Sequence, residues 1–240
     1  MPRSDAHSPA PRPATPPAAV AHLSRRRALG MGWRTACAAT LALGLAACSR
    51  RAPRATPVPA GATVLALGDS LTHGTGAAPE SSYPAELARL TGWQVVNAGV
   101  PGDTAAQGLE RLSALLEAHH PALVIISLGG NDLLRRLPED ALRATLEQAC
   151  ARATASGAQV LLVAVPRPSL SAAFTGSLTD HPLYGELAER LKLPLQRQGW
   201  SEVLADERLR SDAIHANAQG YAEFARRLHA TAVAVGLIAR

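Results

Sequence analysis

Short apolar runs that alternate with amphipathic helical stretches predict an α/β protein, with an open, mostly parallel sheet covered by helices on both faces. Three observations carry this expectation. From Gly61 to the C-terminus, β-rich runs and helical repeats succeed one another in strict turn. The run from Leu123 to Leu128 is almost continuous in Leu, Val and Ile, as a strand buried on both faces requires. No internal repeat and no Pro/Gly/Ser-rich linker divides the stretch, so residues 61–240 read as one domain.

The elements follow in order. Ala62 to Leu67 reads as the first strand and ends at Gly68-Asp69-Ser70. A Gly-containing loop leads to a helix from Pro84 to Leu90, then to a second strand from Gln94 to Ala98. The helix after Gly102-Asp103 places Ala105, Leu109, Leu112 and Leu116 on one face. Beyond the third strand, Leu142, Leu146, Ala149 and Ala153 mark another helix, and Val160 to Val165 the fourth strand. Leu183, Leu187 and Leu191 mark a further helix, and Glu202 to Leu204 a weak fifth strand. The last helix presents Tyr221, Phe224, Leu228 and Ala232 on one side.

The first sixty residues have a different character. Residues 1–23 are rich in Pro, Ala and Ser without periodicity, a composition that builds no core. Ser24-Arg25-Arg26-Arg27, an apolar run from Thr35 to Leu43 and Leu45-Ala46-Ala47-Cys48 follow the grammar of an export signal. The apolar run is too short for a spanning helix of ~20 residues. Residues 1–47 are therefore expected to be a leader and 48–60 a flexible tether. The three arginines suit either a general secretory or a twin-arginine signal, and Met31 is an alternative start. Leu-Ala-Ala-Cys resembles the lipobox of bacterial lipoproteins. That resemblance implies a diacylglycerol on Cys48, cleavage before it and, with Ser49 next, residence at the outer membrane facing the periplasm. The alternative reading of Cys48 is a core cysteine that happens to follow two alanines.

Composition excludes several classes. The net charge of +5 and the pI near 9.7 come from the N-terminus, because residues 61–240 hold fewer basic than acidic groups. Aromatics make up 3% of the chain, too few for a base-stacking platform. No nucleic-acid partner is expected. The chain has no Gly-x-x-x-x-Gly-Lys phosphate loop and no metal-ligand spacing, so no metal or cofactor is expected. Cys150 stands alone in the domain at helical spacing from Leu142 and Leu146 and reads as a core residue.

Four polar blocks lie where strands end: Gly68-Asp69-Ser70-Leu71, Gly102-Asp103, Gly129-Gly130-Asn131-Asp132 and, before the final helix, Asp212-Ala213-Ile214-His215. Parallel α/β sheets bind ligands beyond their carboxyl edge, so all four converge there. A serine hydroxyl needs a neighbouring base, and imidazole suits that task near neutral pH. Asp212 is close enough in one loop to orient His215. The backbone N–H groups of Ser70 and Gly102 and the amide of Asn131 are suitable donors to an oxyanion. Each block alone is an ordinary turn or helix cap; four in order are not. Asp69 and Asp132 are expected to brace their loops, His119 and His120 to end a helix, and His181 to lie in a loop.

In this order the blocks resemble the SGNH (GDSL) hydrolases across residues 61–240, most closely the bacterial thioesterase I/lysophospholipase branch and related arylesterases. The resemblance implies a three-layer α/β/α flavodoxin-like sandwich with a five-stranded sheet. It implies Ser70 as nucleophile, Asp212 and His215 as its partners, and Ser70, Gly102 and Asn131 as the oxyanion hole. The expected protein is a monomeric envelope esterase for lysophospholipids, short or medium acyl and aryl esters, and thioesters. The alternatives are a polysaccharide O-deacetylase and an inactive binding domain of the same fold. Two departures stand out. Ala216 replaces the family's Pro after the His, which predicts a looser exit from the site. The stretch from Pro166 to His181 does not match the substrate-shaping loop.

Overall fold

The structure, a computed structural model, describes residues 55–168 and 177–239. The leader, Met31, Cys48 and the middle of the Pro166–His181 stretch lie outside the described residues. Five strands, β1 (Thr63–Gly68), β2 (Gln94–Gly99), β3 (Leu123–Ser127), β4 (Gln159–Val163) and β5 (Leu195–Gln196), form one sheet. Their order is β2-β1-β3-β4-β5, and every neighbouring pair is parallel. The chain steps outward from β1 to β2, then crosses back to β3 on the other side of β1. The reversal therefore lies at β1, the position where such sheets bind ligands.

Helices cover both faces: α1 (Ser70–His73), α2 (Tyr83–Thr91), α3 (Ala105–His119), α4 (Gly130–Leu134), α5 (Glu139–Ala155), α6 (Pro182–Leu191), α7 (Gly199–Ala205) and α8 (Ala218–Val235). α2 packs on α8 and α3 on α5. The apolar stripes read from the sequence face inward: Leu112 and Leu116 on α3, Leu142, Leu146, Ala149 and Ala153 on α5, Tyr221, Phe224, Leu228 and Ala232 on α8. Cys150 is a core residue, and burial pushes its thiol up to about 12.

The fold differs from expectation in two places. Glu202 to Leu204 is not a strand but lies inside α7, and β5 is the two-residue Leu195–Gln196. Trp200, Val203 and Leu204 fall on one helical face and are buried, and the Trp200 ring stacks on Phe224 with centroids 3.6 Å apart. A two-residue strand is too short to carry any periodic signal.

Second, Ala55 to Ala60 is not free tether, because Ala55 to Val58 is fastened to the domain. The N–H groups of Ala55 and Val58 donate to the carbonyls of Val235 and Leu237 at 2.9 and 2.8 Å. Thr56 exchanges hydrogen bonds with the side chain of Gln159, and the Trp93 indole donates to the Val58 carbonyl at 3.1 Å. Val58 is 5% exposed. Pro57 falls between the donors Thr56 and Val58, and Pro59 between Val58 and Gly61, whose N–H donates to the Gly92 carbonyl, so a composition that reads as linker loses no hydrogen bond by pairing. Gln159 opens β4 and Trp93 precedes β2, so this segment lies at the amino edge of the sheet.

Candidate active site

Strand register assembles the site. Gly68 pairs with Gly99 on one side and with Ser127 on the other, so β1, β2 and β3 end level. Asp69-Ser70, Gly102-Asp103 and Gly129-Gly130-Asn131 thus leave the sheet along one edge. Ser70 is the first residue of α1, where backbone N–H groups have no partner within the helix. Gly68 has no alternative, since a Cβ there would strike Thr72 and the Ser127 carbonyl. Gly102 has φ +86°, and for it backbone conformation rather than space demands glycine: the nearest atom to a Cβ would be 3.7 Å away.

His215 is brought to Ser70 from the far end of the chain. Its Nε2 stands 3.0 Å from the Ser70 Oγ, and its Nδ1 stands 2.8 Å from an Asp212 carboxylate oxygen. A carboxylate only accepts, so Nδ1 carries the proton, and Nε2 presents its lone pair to the Ser70 hydroxyl. Asp212 also accepts from the N–H groups of Ile214 and His215, both at 2.9 Å, and so folds the loop that it orients. Desolvation raises its pKa, but the imidazole and the two N–H donors outweigh that and hold it below the ordinary carboxylate range.

The exit from this loop is braced in spite of Ala216. That residue is buried and bridges Arg210, while the Asn217 side chain donates to the Arg208 and Arg210 carbonyls and caps α8 at Gly220. The looseness expected from the missing proline is taken up by these hydrogen bonds.

Asn131 lies across the same edge, and its amide donates to the Asp103 carbonyl at 2.9 Å. An amide nitrogen has two hydrogens, so a second remains for another acceptor. Asp69 and Asp132 brace their loops: Asp69 accepts from Leu71 at the start of α1, and Asp132 from the Ala105 N–H at 2.9 Å. Burial pushes Asp69 up to about 6; the Leu71 N–H and the His215 charge oppose that shift, while the Asp103 charge adds to it. His119 and His120 end α3 as expected. His181 caps α6 through Nδ1 and is buried, which pulls its pKa down.

Several supporting residues gave no sequence signal. The Tyr184 hydroxyl donates to the Leu128 carbonyl at 2.7 Å and steadies the approach to Gly129-Gly130. The Tyr221 hydroxyl donates to the Thr75 carbonyl at 2.6 Å, in the loop after α1. Arg111 donates to the Gly68 carbonyl and to Asp103, and Arg135 donates to the Gly102 carbonyl. A tyrosine on an apolar face reads as core, and an arginine on a helix reads as surface, until the acceptors are in place.

Known proteins are similar to this chain in sequence and fold. Residues 66–223 match the GDSL-like Lipase/Acylhydrolase family. The thioesterase 1/protease 1/lysophospholipase L1 of Escherichia coli (strain K12) is 36% identical over 165 residues, which cover 65% of this chain and 76% of that protein. The arylesterase of Vibrio mimicus is 34% identical over 160 residues, 63% of this chain and 78% of that one. The crystal structure of TesA superposes with a TM-score of 0.64 at 30% identity, over 72% of this chain and 99% of that chain.

Proposed function

The chain belongs to the GDSL-like lipase/acylhydrolase family, and from that premise we propose that it is a lipid-anchored envelope esterase that works through an acyl-Ser70 intermediate. The observation that carries the reading is the relay from Asp212 through His215 to Ser70, at 2.8 and 3.0 Å. In the first step Ser70 Oγ attacks the acyl carbon of an ester while His215 Nε2 takes its proton. The carbonyl oxygen gains the negative charge and is met by the N–H groups of Ser70 and Gly102 and the second hydrogen of the Asn131 amide. Collapse breaks the bond to the leaving alcohol, which takes the proton from His215. Water then attacks the acyl-serine by the same route, releasing the acid and restoring the hydroxyl.

Substrates of this reading are lysophospholipids and short- to medium-chain acyl or aryl esters, with thioesters next. Val100, Leu134 and Ile214, near neighbours of Gly102, Asn131 and His215, are 42%, 49% and 44% exposed. Exposed apolar side chains within three residues of the site residues in sequence favour an ester with an apolar acyl or aryl part over an acetylated sugar. Export and attachment through Cys48 rest on the basic, apolar and Ala46-Ala47-Cys48 succession of the leader.

A fluorophosphonate probe tests the chemistry. It should label the wild-type protein and not Ser70→Ala, and Ser70→Ala should be folded and inactive on p-nitrophenyl esters. A folded Ser70→Ala protein that hydrolyses them at full rate would overturn the mechanism. Esters of graded acyl length, run beside lysophosphatidylcholine and an acetylated sugar, test the substrate class. A preference for the sugar would overturn the apolar-ester reading.

A further inference from the structure

We propose that Arg111 is a positioning residue that sets the distance between the nucleophile and the oxyanion hole. The proposal rests on Ser70 and Gly102 having the roles given above. Those two residues leave different strands, and pairing of β1 with β2 stops at Gly68 and Gly99. One more backbone bond, from the Val100 N–H to the Gly68 carbonyl at 3.1 Å, ends the ladder two residues short of both Ser70 and Gly102. A glycine at φ +86° is poorly suited to hold itself, because it has no side chain to pack and the greatest backbone freedom to lose.

Arg111 closes this gap. Its Nη2 donates to the Gly68 carbonyl at 2.9 Å, two residues before Ser70, and its Nε donates to the Asp103 carboxylate at 2.8 Å, one residue after Gly102. The guanidinium thus spans both loops. The Asp103 carbonyl in turn receives the Asn131 amide at 2.9 Å, so the third oxyanion donor is referred to the same point. The side chains of Arg111 and Asp103 are 24% and 11% exposed, which shields the ion pair from water and strengthens it.

The platform that carries Arg111 is itself tied down. Thr104 and Gln107 form a capping box at the start of α3, and the Ala105 N–H is held by Asp132 from α4. Arginine is required here because its planar fork serves two acceptors at once. A lysine ammonium is a compact point charge without that fixed fork, so it does not span the two acceptors in the same geometry. Arg111 does not meet the reacting atoms. It acts by keeping the oxyanion donors where the charge develops, so its loss should lower kcat and leave substrate affinity alone.

The test compares Arg111→Ala and Arg111→Lys with wild type on a soluble p-nitrophenyl ester, with melting temperatures measured beside the kinetics. Ser70→Ala reports on the underlying reading. Arg152→Ala controls for loss of an arginine that bonds to α3, since Arg152, on α5, donates to the Leu109 carbonyl and the Ser113 hydroxyl. We expect kcat to fall about 10²-fold in Arg111→Ala, the scale of loss for a misplacement near 1 Å. KM should stay close to wild type in both Arg111 variants. Arg111→Lys should be stable and still impaired. Added guanidinium ion, at concentrations that do not unfold the protein, should restore part of the activity of Arg111→Ala and not of Arg152→Ala. Full kcat in a folded Arg111 variant beside an inactive Ser70→Ala would overturn this proposal alone. A kcat loss without guanidinium recovery, or one matched in Arg152→Ala, would also overturn it. Full activity in Ser70→Ala would bring down the underlying reading and this proposal together.

Discussion

The side-chain amide of Asn131 donates to the Asp103 carbonyl at 2.9 Å, across the gap between the ends of β3 and β2. One hydrogen of the amide is thereby fixed, and the direction of the other with it. If that hydrogen meets the oxyanion, Asn131→Ala should lose roughly 10²–10³ in kcat with little change in KM. Steady-state kinetics on a soluble aryl ester checks this. A rise in KM at constant kcat would mean that Asn131 binds substrate without stabilising charge.

Asp212 accepts one hydrogen bond from the imidazole and two from the backbone of its own loop. Asp212→Asn keeps an oxygen for the backbone donors but can present an N–H to the ring, which favours the wrong tautomer. The loop should stay folded while kcat falls by roughly 10⁴. An Asp212→Asn protein with near wild-type turnover would remove Asp212 from the relay.

Asp69 is a buried carboxyl whose pKa is pushed up to about 6, mainly by desolvation. Between the unfolded value of 3.8 and that figure the folded chain binds more protons than the unfolded one. Its contribution to stability therefore falls as pH rises across this window and is level above it. The ionised group costs about 3 kcal/mol at neutral pH by this arithmetic. Asp69→Asn keeps an oxygen for the Leu71 N–H and carries no charge. In urea unfolding it should be more stable than wild type at pH 7.5, and the advantage should shrink towards pH 4. An equal difference at both pH values would contradict the assignment.

A chain that starts at Gly61 lacks the segment fastened to Val235, Leu237, Gln159 and Trp93. It loses the burial of Val58 and leaves the Trp93 indole without its acceptor, a loss of about 2 kcal/mol or more. Its melting temperature should drop by several degrees against a chain that starts at Ala55. Turnover where both are folded should be equal, because the segment lies at the amino edge and the relay at the carboxyl edge. Identical melting temperatures would show that the hydrogen bonds contribute nothing.

Cys48→Ala should abolish incorporation of labelled palmitate and partition into the aqueous phase of a detergent extract. Hydrolysis of soluble esters should be unaffected, since the residue precedes the domain. Equal labelling of wild type and Cys48→Ala would place any acyl group elsewhere and remove the argument for the outer membrane.

Local patterning was enough to read the four long strands, the inward faces of α3, α5 and α8, and the four polar blocks that end at one edge. These features repeat every two or every three to four residues, or sit where a run stops, so neighbours in sequence carry the signal. Tertiary structure alone decided the rest. It set the order β2-β1-β3-β4-β5 and the level register at Gly68, Gly99 and Ser127, and it brought His215 to Ser70 across 145 positions. It turned Glu202 to Leu204 into helix to bury Trp200 against Phe224, fastened Ala55 to Val58 at the amino edge of the sheet, and gave Arg111 two acceptors. Backbone carbonyls have no letter in the sequence, and a long polar side chain looks solvated until distant segments supply its partners. Contacts of that kind exist only once the sheet has closed around them.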